Sequence, residues 1–137
     1  GSKSTNMSPE NYHALVSAVD TMFLEVLICQ KDANQKTRLQ AKVLIDIFVK
    51  RLSLDDMMSR LLAATSSTKK TVRSSALLTI CMVLLQHRNG VNTNVVQHQV
   101  VNLVPKVCLL LNEDSAELSR AVLTFLRVCV SILQIIH

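Results

Sequence analysis

The 137 residues are 49% hydrophobic and only 18% charged, with a formal net charge of +5. That length and balance suit one domain with a respectable core and exclude a chain that is disordered beyond its first few residues. Aromatics at 3%, no Trp, two Gly and two Pro supply too few strand formers and turns for a sheet protein, so the expected class is all-α.

Gly1-Ser2 reads as the scar of a cleaved tag, and residues 1–7 as that scar with a disordered leader. Residues 8–137 read as a single helical-repeat domain. The first helix is expected to start with Ser8 as N-cap and Pro9 at its first position, Met7 and Tyr12 forming a hydrophobic staple. Leu15, Val19, Met22 and Val26 make its apolar stripe, and it ends near Gln30 to Ala33. A second helix spans about Asn34 to Arg51, with Ala41, Leu44, Ile45 and Phe48 on one face and Arg38, Lys42, Asp46 and Lys50 in a polar row. A short third helix is capped by Ser53, with Asp56 closing a box-like pair and Leu52 stapled onto Met57.

After a polar turn at Thr65 to Thr68, a fourth helix runs from about Lys69 to His87 and is closed by Asn89-Gly90. Its body is apolar nearly all round, which predicts the most buried helix. A fifth, from about Thr93 to Leu111, carries Pro105, which removes a backbone bond and kinks the rod. The sixth starts at Asp114 or Ser115 with Glu117 placed for a capping box, and its polar row is Glu117, Arg120, Thr124, Arg127 and Ser131. Val128 to Ile136 is strongly apolar and stops at His137 without a polar cap, so the domain is expected to be truncated at its C-terminal end.

A short signal recurs along this helical pattern. Lys36-Thr37-Arg38-Leu39-Gln40-Ala41 is matched thirty-five residues later by Thr71-Val72-Arg73-Ser74-Ser75-Ala76. Glu117-Leu118-Ser119-Arg120-Ala121-Val122 is a looser third copy. Ile45, Ile80 and Leu126 lie in register behind them. Such self-similarity marks stacked helical units, each burying its apolar face only against a neighbour. Leu103-Val104-Pro105-Lys106-Val107-Cys108 with the turn Asn112-Glu113-Asp114 resembles the first helix and turn of a HEAT repeat, and Val72-Arg73 with Ala76 resembles the opening of that repeat's second helix. The resemblance implies a right-handed α-α superhelix of about three HEAT-like hairpins from six helices. It also implies a ladder between neighbouring repeats in which Asp32 and Asp114 face Arg38 and Arg73, broken at Ser119.

A narrower resemblance is carried by Leu24-Glu25-Val26-Leu27-Ile28-Cys29-Gln30-Lys31-Asp32-Ala33-Asn34, by Val107-Cys108-Leu109-Leu110-Leu111 and by Ala121-Val122-Leu123-Thr124-Phe125-Leu126-Arg127-Val128. These strings are similar to the C-terminal HEAT repeats of the ribosomal RNA processing protein 12 family, with Thr124 standing where the family has glycine. That likeness implies a non-catalytic scaffold of the nucleus and nucleolus. Such a protein accompanies pre-ribosomal particles and contacts proteins and RNA. The alternative is a HEAT or armadillo adaptor holding a protein partner in nuclear transport or on microtubules.

Lys31, Lys36, Arg38 and Lys42 cluster at the first inter-helix turn, and Lys69, Lys70 and Arg73 at the next. Cations in the first turn of a helix oppose its macrodipole, at about 0.3–1 kcal/mol each where exposed, so local stability does not account for them. They are candidates for contact with RNA phosphates or an acidic partner, against the blander reading of solubility and turn chemistry. With aromatics this scarce, base stacking is not expected, and any RNA contact would be to the backbone. Arg120 and Arg127 on one face of the sixth helix are a second candidate partner surface.

No nucleophile elbow, phosphate loop or metal box is present, and no catalytic residue, cofactor or metal site is expected. Asp55-Asp56 and Glu113-Asp114 each open a helix, where acids are favoured anyway. Cys29, Cys81, Cys108 and Cys129 lie in apolar helical patterns without a Cys-x-x-Cys pair, as reduced thiols inside a cell would. The longest unbroken apolar run is far short of the roughly 20 residues that span a bilayer.

Overall fold

A computed structural model describes residues 7–87, 93–113 and 115–136. Among them are six α-helices and no strand: α1 Pro9–Cys29, α2 Gln35–Arg51, α3 Leu54–Ala64, α4 Lys70–His87, α5 Thr93–Cys108 and α6 Ala116–Ile136. The chain is all-α and built of helical hairpins. It divides into two compact units, Gly1–Ala76 and Leu77–His137, so the boundary falls within α4. The expected Asn89-Gly90 stop, the acidic partner Asp114, residues 1–6 and His137 lie outside the described residues.

Side-chain caps set the helix starts. Ser8 accepts the Asn11 N–H at 3.1 Å, Asn34 that of Thr37 at 3.1 Å, Ser53 that of Asp56 at 3.2 Å, and Ser115 that of Leu118 at 3.2 Å. Each satisfies one donor that the first turn leaves without an intrahelical partner. α5 stops as an α-helix at Cys108, three residues past Pro105, and the chain tightens into a 3-10 turn at Leu109–Asn112. The α-helix is therefore shorter than expected from its apolar pattern, which ran on to Leu111.

In the first unit α1 and α2 form a hairpin whose core holds Val19, Phe23 and Leu27 against Ala41, Ile45 and Phe48. The rings of Phe23 and Phe48 stack with centroids 6.3 Å apart, a geometry worth about 0.5–1.5 kcal/mol beyond area burial. Counted over a window of residues instead of an unbroken run, α1 is long and apolar enough to cross a membrane by length and composition. Here, however, Val19, Phe23, Val26 and Leu27 are buried while Met22 of the expected stripe is exposed, and Asp20 is held by Arg60. α3 adds Met57, Met58 and Leu61, all buried, and Leu52 is fully buried as the staple predicts.

Polar contacts join α3 and the start of α4 to α1. The Tyr12 hydroxyl donates to Asp56 Oδ2 at 2.6 Å and accepts the Ser53 N–H at 2.9 Å. Tyr12 thus fills the role expected of Asp56, whose carboxylate would otherwise reach back to the cap N–H. Arg60 forks onto Asp20 through Nε at 2.6 Å and Nη2 at 3.1 Å, and its Nη1 donates to the Asp56 carbonyl at 2.9 Å. The paired carboxylates raise the Arg60 pKa above its ordinary value, the Asp20 hydrogen bond contributing most. Farther along, Ser75 Oγ donates to the Leu27 carbonyl at 2.7 Å and accepts from Gln30 Nε2 at 3.0 Å.

In the second unit Leu77, Ile80 and Leu84 of α4 are fully buried, as are Val96 and Val100 of α5 and Val122 and Phe125 of α6. α5 and α6 pack together as a hairpin across the 3-10 turn. Cys81 and Cys129 are buried there. Burial, with the neighbouring thiol Cys129 adding to it, pushes Cys81 up to about 12. Burial with the influence of Cys108 pushes Cys129 to about 11. Both are held as neutral thiols, because a low-dielectric setting disfavours the thiolate.

Candidate interaction surface

The two strong copies of the repeated signal make the same turn. In the first, Arg38 Nη1 donates to the carbonyls of Asp32 at 2.8 Å and Ala33 at 3.0 Å, while the Asp32 carboxylate accepts the Asn34 N–H at 2.8 Å. Thirty-five residues on, Arg73 Nη1 donates to the Ser67 carbonyl at 2.7 Å, and Ser67 Oγ accepts the Lys69 N–H at 3.2 Å. The arginine reaches back six residues in both cases, over a turn braced by a short side chain at that sixth residue. The helix that follows starts with equivalent backbone bonds, Arg38 N–H to the Asn34 carbonyl and Arg73 N–H to the Lys69 carbonyl. In the third copy Ser119 replaces the arginine and keeps only the backbone bond, to Ser115.

At Asp32 and Arg38 this geometry departs from the expected ladder between repeats, whose other acid, Asp114, lies outside the described residues. Arg38 clasps its own turn and the Asp32 carboxylate braces the same turn, so neither reaches to a neighbouring hairpin. The carbonyls of Asp32, Ala33 and Ser67 lie in the turns between helices, beyond the helical ladder, and the guanidinium supplies the donor they would otherwise take from water. Arg73 is 8% exposed and Arg38 half-buried, so the candidate basic surface loses its arginines to the turns. Lys31, Lys36, Lys42, Lys69 and Lys70 remain exposed. Arg120 and Arg127 are exposed on α6, and Arg127 borders a depression of about 380 Å³ with Leu123 and Val130.

A feature that the lysine pattern does not single out lies on the first hairpin. α1 and α2 leave between them a groove of about 560 Å³, floored by Met22 and Val26 from α1 and Ala41 and Leu44 from α2. Glu25 stands on its α1 lip and Lys36 on its α2 lip. On α2 the apolar surface continues onto Val43 and Ile47, which are 60% and 43% exposed. Leu44, expected on the core face, is 38% exposed at this groove. The signal in the sequence is the width of the α2 apolar arc: Leu39, Val43, Leu44 and Ile47 add a second face to the one that packs on α1.

Among the described residues no three of His, Cys, Asp and Glu come together in a metal-binding arrangement. His87 bonds through Nδ1 to the Val83 carbonyl at 2.9 Å, and His13 and His98 are exposed. The groove thus pairs an apolar floor with one acidic and one basic side chain, and lysines stand exposed at the turns. Comparison with protein-family models, with curated proteins and with solved structures finds no match.

Proposed function

We propose that this chain is a non-catalytic helical-repeat scaffold of the ribosome-biogenesis kind, supporting pre-ribosomal RNA processing and subunit export in the nucleus and nucleolus. It works through contacts to proteins and to the RNA backbone. The observation that carries the reading is the division of labour at the two equivalent turns. Arg38 and Arg73 are consumed in holding the turns, while Lys36, Lys69 and Lys70 stay exposed at the same places. Exposed lysines at helix starts that contain no acid present positive charge that nothing in the first turn offsets.

The test is binding of a fluorescent oligouridylate across a salt series. The reading expects affinity to fall steeply as salt rises, with a slope of roughly 0.7 per phosphate contacted. Lys69→Glu with Lys70→Glu should flatten that slope without lowering the melting temperature, since acids are favoured at a helix start. Arg73 is left alone, because replacing a buried clasp would confound folding with binding. No affinity at low salt, or a slope unchanged in the double variant, removes RNA from the proposal. The second reading, an adaptor that holds a protein partner in nuclear transport or on microtubules, is favoured by the apolar groove between α1 and α2.

A further inference from the structure

We propose that the groove between α1 and α2 is the docking site for an amphipathic helix carrying acidic residues on the flank that faces Lys36. The inference deepens the scaffold reading and rests on it. The floor is apolar, formed by Met22, Val26, Ala41 and Leu44 at three- and four-residue spacing along two neighbouring rods. Rows at that spacing accept the ridge of a third helix. An extended strand laid there would leave half its backbone donors and acceptors over hydrocarbon, whereas a helix satisfies them internally.

Charge selects among helices. α2 has no acid in its first turn, and Lys36 stands there beside the positive end of the helix dipole. Lys36 and Glu25 are the charged residues among those that line the groove. Glu25 on the opposite lip repels acid from that side. The partner therefore bears acid on its α2 flank and none on its α1 flank, which fixes its rotation in the groove as well as its charge.

The probe is a displayed library of helical peptides with fixed leucines at i, i+3, i+4 and i+7 and flanking positions randomised between Glu and Lys. Panning on the whole chain should enrich Glu on one flank only. Binding of an enriched peptide should weaken about tenfold on Lys36→Glu, which corresponds to about 1.4 kcal/mol. It should recover when the peptide's facing Glu residues become Lys. Leu44→Asp should abolish binding while the chain stays folded by far-UV circular dichroism, since Leu44 is 38% exposed.

No enrichment, Glu spread equally over both flanks, or binding indifferent to Lys36→Glu and Leu44→Asp overturns the proposal. Concentration-dependent self-association that Leu44→Asp abolishes overturns it too, by assigning the face to a second copy. The two proposals fail separately. Salt-dependent oligouridylate binding that survives Leu44→Asp without any peptide binding leaves the scaffold reading standing alone. Peptide binding with flank selection and no RNA affinity retains the groove and removes RNA.

Discussion

The arginine clasps make unequal contributions, and their ratio can be worked out. Arg73 is 8% exposed and its Nη1 donates to the Ser67 carbonyl at 2.7 Å. A hydrogen bond from a charged donor contributes about 1.5–3 kcal/mol, and truncation also strips the packed methylene stem. Arg73→Ala should therefore cost about 3 kcal/mol, a large share of a typical total of about 5–15 kcal/mol. Arg38 makes the equivalent bonds at 2.8 and 3.0 Å from a half-buried position, where water can replace the lost donor. Arg38→Ala should cost about 1 kcal/mol. With no Trp and one Tyr in the chain, far-UV circular dichroism in urea is the suitable assay. At a slope of about 2 kcal/mol per molar, Arg73→Ala should move the midpoint down by about 1.5 M and Arg38→Ala by about 0.5 M. Arg73→Lys, which keeps the stem and one donor, should recover about half the loss. An Arg38→Ala penalty equal to or above that of Arg73→Ala would refute the reasoning, as would an Arg73→Ala cost under about 0.5 kcal/mol.

Other outcomes follow from the remaining polar and thiol groups. Tyr12→Phe removes the donor to Asp56 and the acceptor for the Ser53 N–H, and should cost about 1–2 kcal/mol by the same assay. Asp20→Asn should cost less, about 0.5 kcal/mol, because Asp20 is 52% exposed and the ion pair is screened. Cys81 and Cys129 are raised from 9.0 to about 12 and about 11. The fold holds them neutral, so their contribution is whole below about pH 9 and is lost as pH climbs through the raised values. Urea midpoints of the parent chain should fall more steeply between pH 9 and pH 11 than those of Cys81→Ala/Cys129→Ala. Parallel curves would contradict that assignment. At pH 8 a thiol reagent should label the half-buried Cys29 and Cys108 well before the two buried thiols.

Much of the fold was legible in particular residues. Ser8-Pro9, Ser53 and Ser115 announce helix starts because their oxygens can accept orphaned N–H groups, and each does so. The thirty-five-residue recurrence of the arginine signal implied stacked units with a ladder between them, whereas Arg38 and Arg73 each clasp the turn before their own helix. What the arginines bond to was not legible, since every residue has a carbonyl and nothing in the sequence singles out those of Asp32 and Ser67. The ties from Tyr12 to Asp56 and from Asp20 to Arg60 cross more than forty residues and leave no periodic trace. The groove was hidden for a related reason. An apolar arc as wide as that of α2 looks like core until the partner helix shows that only one part of it is covered.

The groove between α1 and α2 is the proposed working surface of this chain. Methyl-resolved NMR during titration with an enriched acidic helical peptide addresses it most directly. The account predicts that the methyl signals of Met22, Val26, Val43, Leu44 and Ile47 shift together with the bound fraction, while those of Ile80, Leu84 and Leu103 stay in place. Shifts concentrated on α5 and α6, or none at saturating peptide, would contradict it.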